Sequence, residues 1–478
     1  MNSYKIIGGL GGGSFGQVFK VQTSDDSTKE YAMKKIYHVV NHMRLVEVDL
    51  MSRIDHPNVI KAKDVFLDIK QNDCETTLNI IMPLAQTDLF EYVLSETYKK
   101  TVDETVKTRF CYEILSGLIC IHKAGAYHCD VKPENVLIIN DHPVLTDLGL
   151  AEYKETSSIS MFSSPVWSSP ESLMRNFIVP QNLELHIIRN YEFFDQPFDP
   201  IATEIWSLGL TFVFILTQDS PISNEDFDFL IISLINFIDN PILALQKIGV
   251  PEKWIPLLTQ MLEPKVEKRL KNLESVLKFE PFIEAGYIKE IQGNIETKPR
   301  AIKRTSENLN EKLRFFRQLA LKSSVLAETY FLGLDLFILL LSSFEEDNLG
   351  EVTETNKEID EFNVEQLALC SLYVAADLTN DDLPNRRLLR KNGLTNNKLF
   401  KLINYLLIKT QGKLFLPNLF TYAFSEEALN KAIVATLDYE EYIDLNFERF
   451  MNELQKRESV EERENRKSKF NIKFNTKI

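Results

Sequence analysis

The chain has little cysteine: Cys74, Cys111, Cys120, Cys129 and Cys370 are the five in 478 residues. The count is odd, the spacing is wide and no Cys-x-x-Cys pair occurs. That pattern fits a reducing compartment and excludes a disulfide framework or a zinc site. Positive charge is also short, with 54 Lys and Arg against 69 Asp and Glu, a formal net charge of -15. Such a balance argues against bulk binding to nucleic acid or to an anionic membrane. Long hydrophobic runs are missing too. Ile205 to Thr217 is too short for a bilayer, and Leu326 to Phe344 is interrupted by Glu328 and Asp335, so both read as buried helices. The first residues, Met1-Asn2-Ser3-Tyr4-Lys5, lack the apolar core of a signal peptide. The expected location is intracellular and cytoplasmic.

What is present divides into segments. A chain of this length is expected to hold two to four domains, and its apolar content, 44%, is ordinary for buried cores. Residues 4–22 alternate and carry glycines, as a strand–turn–strand does. Residues 28–37 read as a further strand. Residues 38–54 read as a helix with Val39, Met43, Val46, Leu50 and Ile54 on one stripe. Beyond Pro83 the pattern is mostly helical. Residues 286–311 are polar, with Pro299, and read as a linker. Helical periodicity returns from about 312. The end, from Lys456, is charge-dense and finishes basic, as a solvated tail does.

Four motifs carry chemistry. Gly11-x-Gly13-x-x-Gly16-x-Val18 lies between two strand-like segments. Glycines there let a backbone approach phosphates closely. Tyr31-Ala32-Met33-Lys34 follows in a strand. Glu47 lies 13 residues beyond Lys34 and nine before His56-Pro57-Asn58. His128-Cys129-Asp130-Val131-Lys132-Pro133-Glu134-Asn135 and Asp147-Leu148-Gly149 complete the series. Taken together, in this order, the motifs resemble the eukaryotic-type protein kinases from about residue 4 to about 285.

The resemblance implies an α+β, bilobal protein-kinase fold over residues 1–285, with a β-rich N-lobe to about 85 and a helical C-lobe from about 86. It implies ATP and Mg²⁺ as cofactors and protein substrates as partners. Gly11, Gly13 and Gly16 would cover the phosphates, and Lys34 would hold them, oriented by Glu47. Ile80-Ile81-Met82-Pro83-Leu84-Ala85 looks like the hinge of the cyclin-dependent and mitogen-activated kinases. Adenine would bond the Pro83 carbonyl and the Ala85 N–H, between Val18, Ala32 and Leu137. Asp130 would orient the acceptor hydroxyl and Lys132 would neutralise the transferring group. Asn135 and Asp147 would hold the metal. Lys132, two residues after Asp130, resembles serine/threonine rather than tyrosine kinases. Ser164 matches the threonine that touches the catalytic aspartate, and Glu171 is expected to pair with Arg269.

Some positions depart from the family. Cys129 replaces the arginine that commonly receives an activation-segment phosphate, so activity is expected without phosphorylation, although Thr156, Ser157, Ser158 and Ser160 are available. Leu148 replaces phenylalanine, and is expected to pack between Met51 and His128. Glu204 stands in place of the aspartate that braces the catalytic loop. Glu171 and Glu204 are 33 residues apart, longer than usual, which implies an inserted loop.

The second half is similar to a cyclin box over residues 312–425, an all-α domain, followed by a helical extension and charged tail at 426–478. Glu328 to Phe337 resembles its second helix, Gln366 to Asp377 its buried third helix, and Leu394 to Leu407 its closing part. Two positions differ: Ile338-Leu339 replaces an Asp-Arg pair, and Asp377 replaces the lysine that usually contacts the kinase. The resemblance implies an intramolecular kinase–cyclin-like contact that presses the 38–54 helix inward. Alternatives at this stage are a nucleotide-binding pseudokinase scaffold, or an adaptor half that recruits substrates or another kinase. The one-chain arrangement resembles gene products of large DNA viruses, which would place it in host cytoplasm or the virion.

Overall fold

The structure is a computed structural model. It describes residues 4–13, 16–23, 26, 28–37, 45–69, 76–153, 164–178, 198–222, 226–287, 294–295, 312, 315–316, 319, 329, 332–341, 362–379, 384, 386–412 and 414. The small lobe is built on β1 (Tyr4–Gly13), β2 (Gly16–Thr23), β3 (Glu30–Ile36), β5 (Asp64–Asp68) and β6 (Thr77–Pro83). They form one antiparallel sheet in the order β1-β2-β3-β6-β5. Side chains alternate across a strand, and here the alternation sorts the faces. Val21, Met33 and Ile81 make a small outer core with Phe19, Tyr31 and Phe66. Ala32, Ile36, Ile80 and Met82 face the main core. Lys34, at the same parity as Ala32, is therefore delivered to the cleft side.

Only glycine fits at position 16. Its φ is +153°, and a Cβ there would lie 2.2 Å from the Lys35 carbonyl oxygen. The hairpin thus lies close on β3.

Helix α1 (Leu45–Arg53) comes after the sheet's third strand, and the short strand β4 (Ile54–Asp55) follows it. The expected helix over 38–54 is met from Leu45; residues 38–44 lie outside the described set. Ile54 belongs to the strand, not the helix. His56 precedes Pro57 and is barred from helical backbone, so the chain must leave the helix before it. Eight of the nine residues of α1 are buried, including Glu47, Asp49 and Arg53. A helix of a two-lobed molecule would leave one face to water; here other elements cover it.

The larger lobe follows the short strand β7 (Thr87–Asp88). Helices α2 (Leu89–Leu94), α3 (Glu96–Thr101) and α4 (Glu104–Lys123) each begin at an N-cap whose side chain accepts a backbone N–H: Asp88, Ser95 and Asp103. Strands β8 (Ala126–Tyr127), β9 (Val136–Ile139), β10 (His142–Leu145) and β11 (Glu152–Tyr153) frame the loops at 128–135 and 146–151. Sheet pairs are β10-β9-β7 and β11-β8. Helices α5 (Pro170–Leu173), α6 (Pro200–Thr217), α7 (Phe227–Asp239), α8 (Pro241–Lys247), α9 (Ile255–Met261) and α10 (Glu280–Glu284) complete the lobe. Helix α6 is apolar and long enough to cross a membrane, longer than the 205–217 run alone, yet 83% of it is buried here as the core helix. Glu171 and Arg269 pair at 2.7 and 3.1 Å with neither side chain exposed. Losing one member would strand a buried charge, which costs about 3–5 kcal/mol.

Within the stretch read as a linker, β12 (Asn294–Ile295) pairs with β4. The described part of the second half consists of α11 (Leu332–Leu341), α12 (Val364–Thr379), α13 (Arg386–Lys391) and α14 (Asn396–Thr410). Helix α12 is buried from Gln366 to Ala376. It packs on α14, as its small apolar sequence requires. Residues 415–478, including Pro417-Asn418-Leu419-Phe420 and the tail, lie outside the described set.

These helices lie against the small lobe: α12 touches α1 and α14 touches β5. Asp377 Oδ2 accepts the Leu45 backbone N–H at 3.1 Å, and Asn404 Oδ1 accepts the Leu67 backbone N–H at 2.9 Å. Gly412, at φ +78°, lies so close to α1 that a Cβ would be 2.3 Å from Ser52 Oγ.

Candidate active site

The cleft side of β3 presents Lys34. Its Nζ lies 2.6 Å from Glu47 Oε1 and 2.7 Å from Asp147 Oδ1. Burial alone would lower the Lys34 pKa, but the two carboxylates reverse this and hold it above its ordinary value. Burial likewise pushes the Asp147 carboxyl up, and Lys34 chiefly brings it below its ordinary value. Both groups are therefore charged at neutral pH. Asp147 sits in the left-handed region, φ 55°, which turns its carboxylate into the cleft. Leu148 behind it is fully buried against α1.

The second group stands on the loop after β8. Asp130 Oδ2 is 2.8 Å from Lys132 Nζ and accepts from Asn135 Nδ2 at 2.7 Å. Asn135 Nδ2 also donates to the Asp130 carbonyl at 2.8 Å. Asp130 Oδ1 is buried without a hydrogen-bond partner among the described residues. Lys132 Nζ donates to Ser164 Oγ at 2.9 Å, so Ser164 meets Asp130 through Lys132.

The loop is held from below. His128 is fully buried; its Nε2 faces the Thr146 carbonyl at 2.9 Å, and its Nδ1 accepts the Asp130 N–H at 3.3 Å. Those two contacts fix the tautomer with the proton on Nε2. Cys129 has φ 67°, and its N–H donates to Glu204 Oε1 at 2.7 Å. Glu204 Oε2 bonds His122 Nε2. Burial pushes the Glu204 carboxyl up, but His122 beside it and the Cys129 N–H bring it below its ordinary value. The longer side chain thus reaches the loop backbone and also gains a histidine.

Around the expected adenine position, Val18 pairs with Lys34 and Ala32 with Met82 across the sheet. Pro83 is exposed, and Ala85, Val18 and Leu137 are half-buried. Gln86 N–H donates to the Ile138 carbonyl at 3.0 Å, which ties the hinge to the strand carrying Leu137. Gly11 and Gly13 pair with Val18 and Gly16 at the sheet edge, with register shifts before Gly11. Lys34, Glu47 and Asp147 form one group, Asp130, Lys132 and Asn135 another. Thr156, Ser157, Ser158, Ser160 and the middle of the 171–204 insertion lie outside the described residues.

Sequence reading missed one buried cluster beside the site: Asp49, Arg53 and Tyr153. Arg53 Nε donates to Asp49 Oδ2 at 3.1 Å, and the Tyr153 hydroxyl donates to the same oxygen. Asp49 and Arg53 are four apart on a helix, a spacing that ordinarily marks a solvated surface pair. It also missed His122, which carried no signal beyond its place at the end of α4.

A family model described as "Protein kinase domain" matches residues 4–282. The chain is 30% identical over 285 residues to serine/threonine-protein kinase cds1 of Schizosaccharomyces pombe, 57% of either chain. It is 30% identical over 192 residues to cyclin-dependent kinase F-4 of Oryza sativa subsp. japonica, 39% of this chain and 40% of that one. It is 33% identical over 192 residues to serine/threonine-protein kinase MAK of Homo sapiens, covering 39% of this chain and 29% of that one. The match thus spans little more than half of the length of these relatives at most.

Proposed function

The chain belongs to the protein kinase family, and on that premise we propose that it is a serine/threonine kinase that moves the γ-phosphate of ATP to protein hydroxyls. The observation that carries this is the pair of groups across the cleft. Lys34 is charged between Glu47 and Asp147, while Asp130 keeps one buried oxygen open beside Lys132 and Asn135.

The donor set fits Mg²⁺ with a triphosphate. Among the described residues no cluster of three or more His, Cys, Asp or Glu could hold a metal alone. Two oxygen ligands, Asp147 and Asn135, suit an ion that takes the rest of its shell from phosphate and water. When bound, that ion screens the charge on the phosphates. Lys34 holds the phosphates from the sheet side, under the hairpin that Gly16 lets settle on β3. Pro83 and Ala85 offer the carbonyl and N–H for adenine, between Val18, Ala32 and Leu137. Asp130 orients the acceptor hydroxyl through Oδ1 and takes its proton. Lys132, shared with Ser164, neutralises the group in transfer.

The second half is read as a cyclin-like module that activates its own kinase. Support comes from Asp377 and Asn404 on backbone amides of the small lobe, and from the fit of Gly412 on α1. Covering the outer face of α1 keeps Glu47 on Lys34. The linker holds the module at roughly millimolar effective concentration.

The test is transfer from labelled ATP with Mg²⁺ to a generic serine/threonine substrate, full chain beside Asp130→Asn. The expected loss is at least about a thousandfold, since both orientation and proton acceptance go. Equal residual transfer by both proteins would leave a nucleotide-binding scaffold.

A further inference from the structure

The buried cluster of Asp49, Arg53 and Tyr153 is not needed by any step above. Its exposure is at most 2% for each side chain. Its three members come from two elements that must stay in register. Asp49 and Arg53 lie on α1, which carries Glu47. Tyr153 lies on β11, six residues after Asp147, at the opening of the activation segment.

The bonds close a ring. Arg53 Nε donates to Asp49 Oδ2 at 3.1 Å, Arg53 Nη2 donates to the Tyr153 hydroxyl oxygen at 3.3 Å, and that hydroxyl donates to Asp49 Oδ2. Arg53 Nη2 also donates to the Ala124 carbonyl at 3.2 Å, at the end of α4. Burial first, and then the Asp49 charge, push the Tyr153 phenol well above its ordinary value, so it stays a donor. One guanidinium therefore joins the small lobe, the large lobe and the activation segment.

The neighbouring receiver position points the other way. Cys129 is buried, and the charged groups acting on it are Glu204, Glu152 and Asp130, all carboxylates. A phosphate brought there would meet like charge.

We propose that Asp49, Arg53 and Tyr153 form a phosphate-independent latch: they tie α1 to β11 and so hold Glu47, Lys34 and Asp147 together without a modified activation segment. Arg53 answers a fixed internal carboxylate and phenol, where a kinase of another design would answer a phosphate. The three are positioning residues, since none faces the cleft chemistry. The proposal rests on the kinase reading above and names how that site is kept in order.

The experiment compares the full chain with Tyr153→Phe, with Glu47→Gln, with the double variant, and with Thr156, Ser157, Ser158 and Ser160 all changed to Ala. Labelled-ATP transfer gives kcat and KM for each, and thermal unfolding shows that each is folded. Tyr153→Phe removes one hydroxyl from the ring and is expected to lower kcat about tenfold, the rate equivalent of one hydrogen bond to a charged group. Its KM for ATP should change little. In the Glu47→Gln background the same change should have no further effect, because both act through Lys34; a purely structural loss would add. The fourfold Ala variant should keep full activity, before and after phosphatase treatment. Wild-type kcat in Tyr153→Phe, or additive losses, would overturn the latch, as would loss of activity in the fourfold Ala variant. An inactive wild type would instead overturn the kinase reading itself.

Discussion

Glu204 illustrates how much one methylene can be made to do. It reaches the Cys129 N–H with one oxygen and His122 with the other. Its carboxyl titrates below the ordinary 4.5, so its contribution to stability is present above that value and lost as pH falls through the folded value. Asp147 has the same sign relative to 3.8. Lys34 has the opposite one: raised above 10.5, its contribution is complete below that value and lost only as pH rises through the folded one. The contributions of these three groups are together complete from about pH 5 to about pH 10. Thermal unfolding against pH should show a steeper acid limb in the wild type than in Glu204→Gln; parallel limbs would contradict the assignment. At this scale a chemical residue type at a fixed offset was legible in the sequence, as with Lys34, Glu47, Asp130, Asn135 and Asp147, and the structure groups Lys34 with Glu47 and Asp147, and Asp130 with Asn135. Arg53 and Tyr153 were not, because a helix pair four apart and a lone tyrosine look the same whether solvated or buried.

At the scale of elements, α1 is the part on which both halves act. Nine residues make a helix too short to be stable alone, so its place depends on what packs around it. From below come β11 and the end of α4, through Arg53; from above come α12 and Gly412, just past α14. Asp377 takes the N–H of Leu45, the first described residue of α1, from 332 residues away. A carboxylate can accept that N–H and a lysine ammonium cannot, and this gives the Asp at 377 a physical reason where the resemblance has a lysine. Gly412 marks the tightest approach. Gly412→Val would place atoms into Ser52 and Val48 and strain a positive φ. Overpacking of this kind costs about 1–3 kcal/mol. The expected outcome is a folded protein with lowered kcat, read by the transfer assay beside an unfolding curve; wild-type kcat would show that this contact does not reach Glu47. Neither backbone contact, Leu45 with Asp377 or Leu67 with Asn404, could be seen in the sequence, since main-chain donors leave no residue signature.

For the whole molecule, the two lobes were legible from the change of period near Pro83, and the described helices α11 to α14 of the second half from apolar spacing. The way the second half lies on the first is an inference from resemblance; among the described residues α12 touches α1, α14 touches β5, and β12, within the stretch read as a linker, pairs with β4. On the reading proposed above, the chain is its own partner. The most direct test is the specific activity of the purified chain, alone, over about a hundredfold range of protein concentration, because an intramolecular contact does not weaken on dilution. The account predicts phosphate transfer that is present without any added protein and constant across the range. Transfer that appears only when a second protein is supplied, or that falls as the chain is diluted, would contradict it.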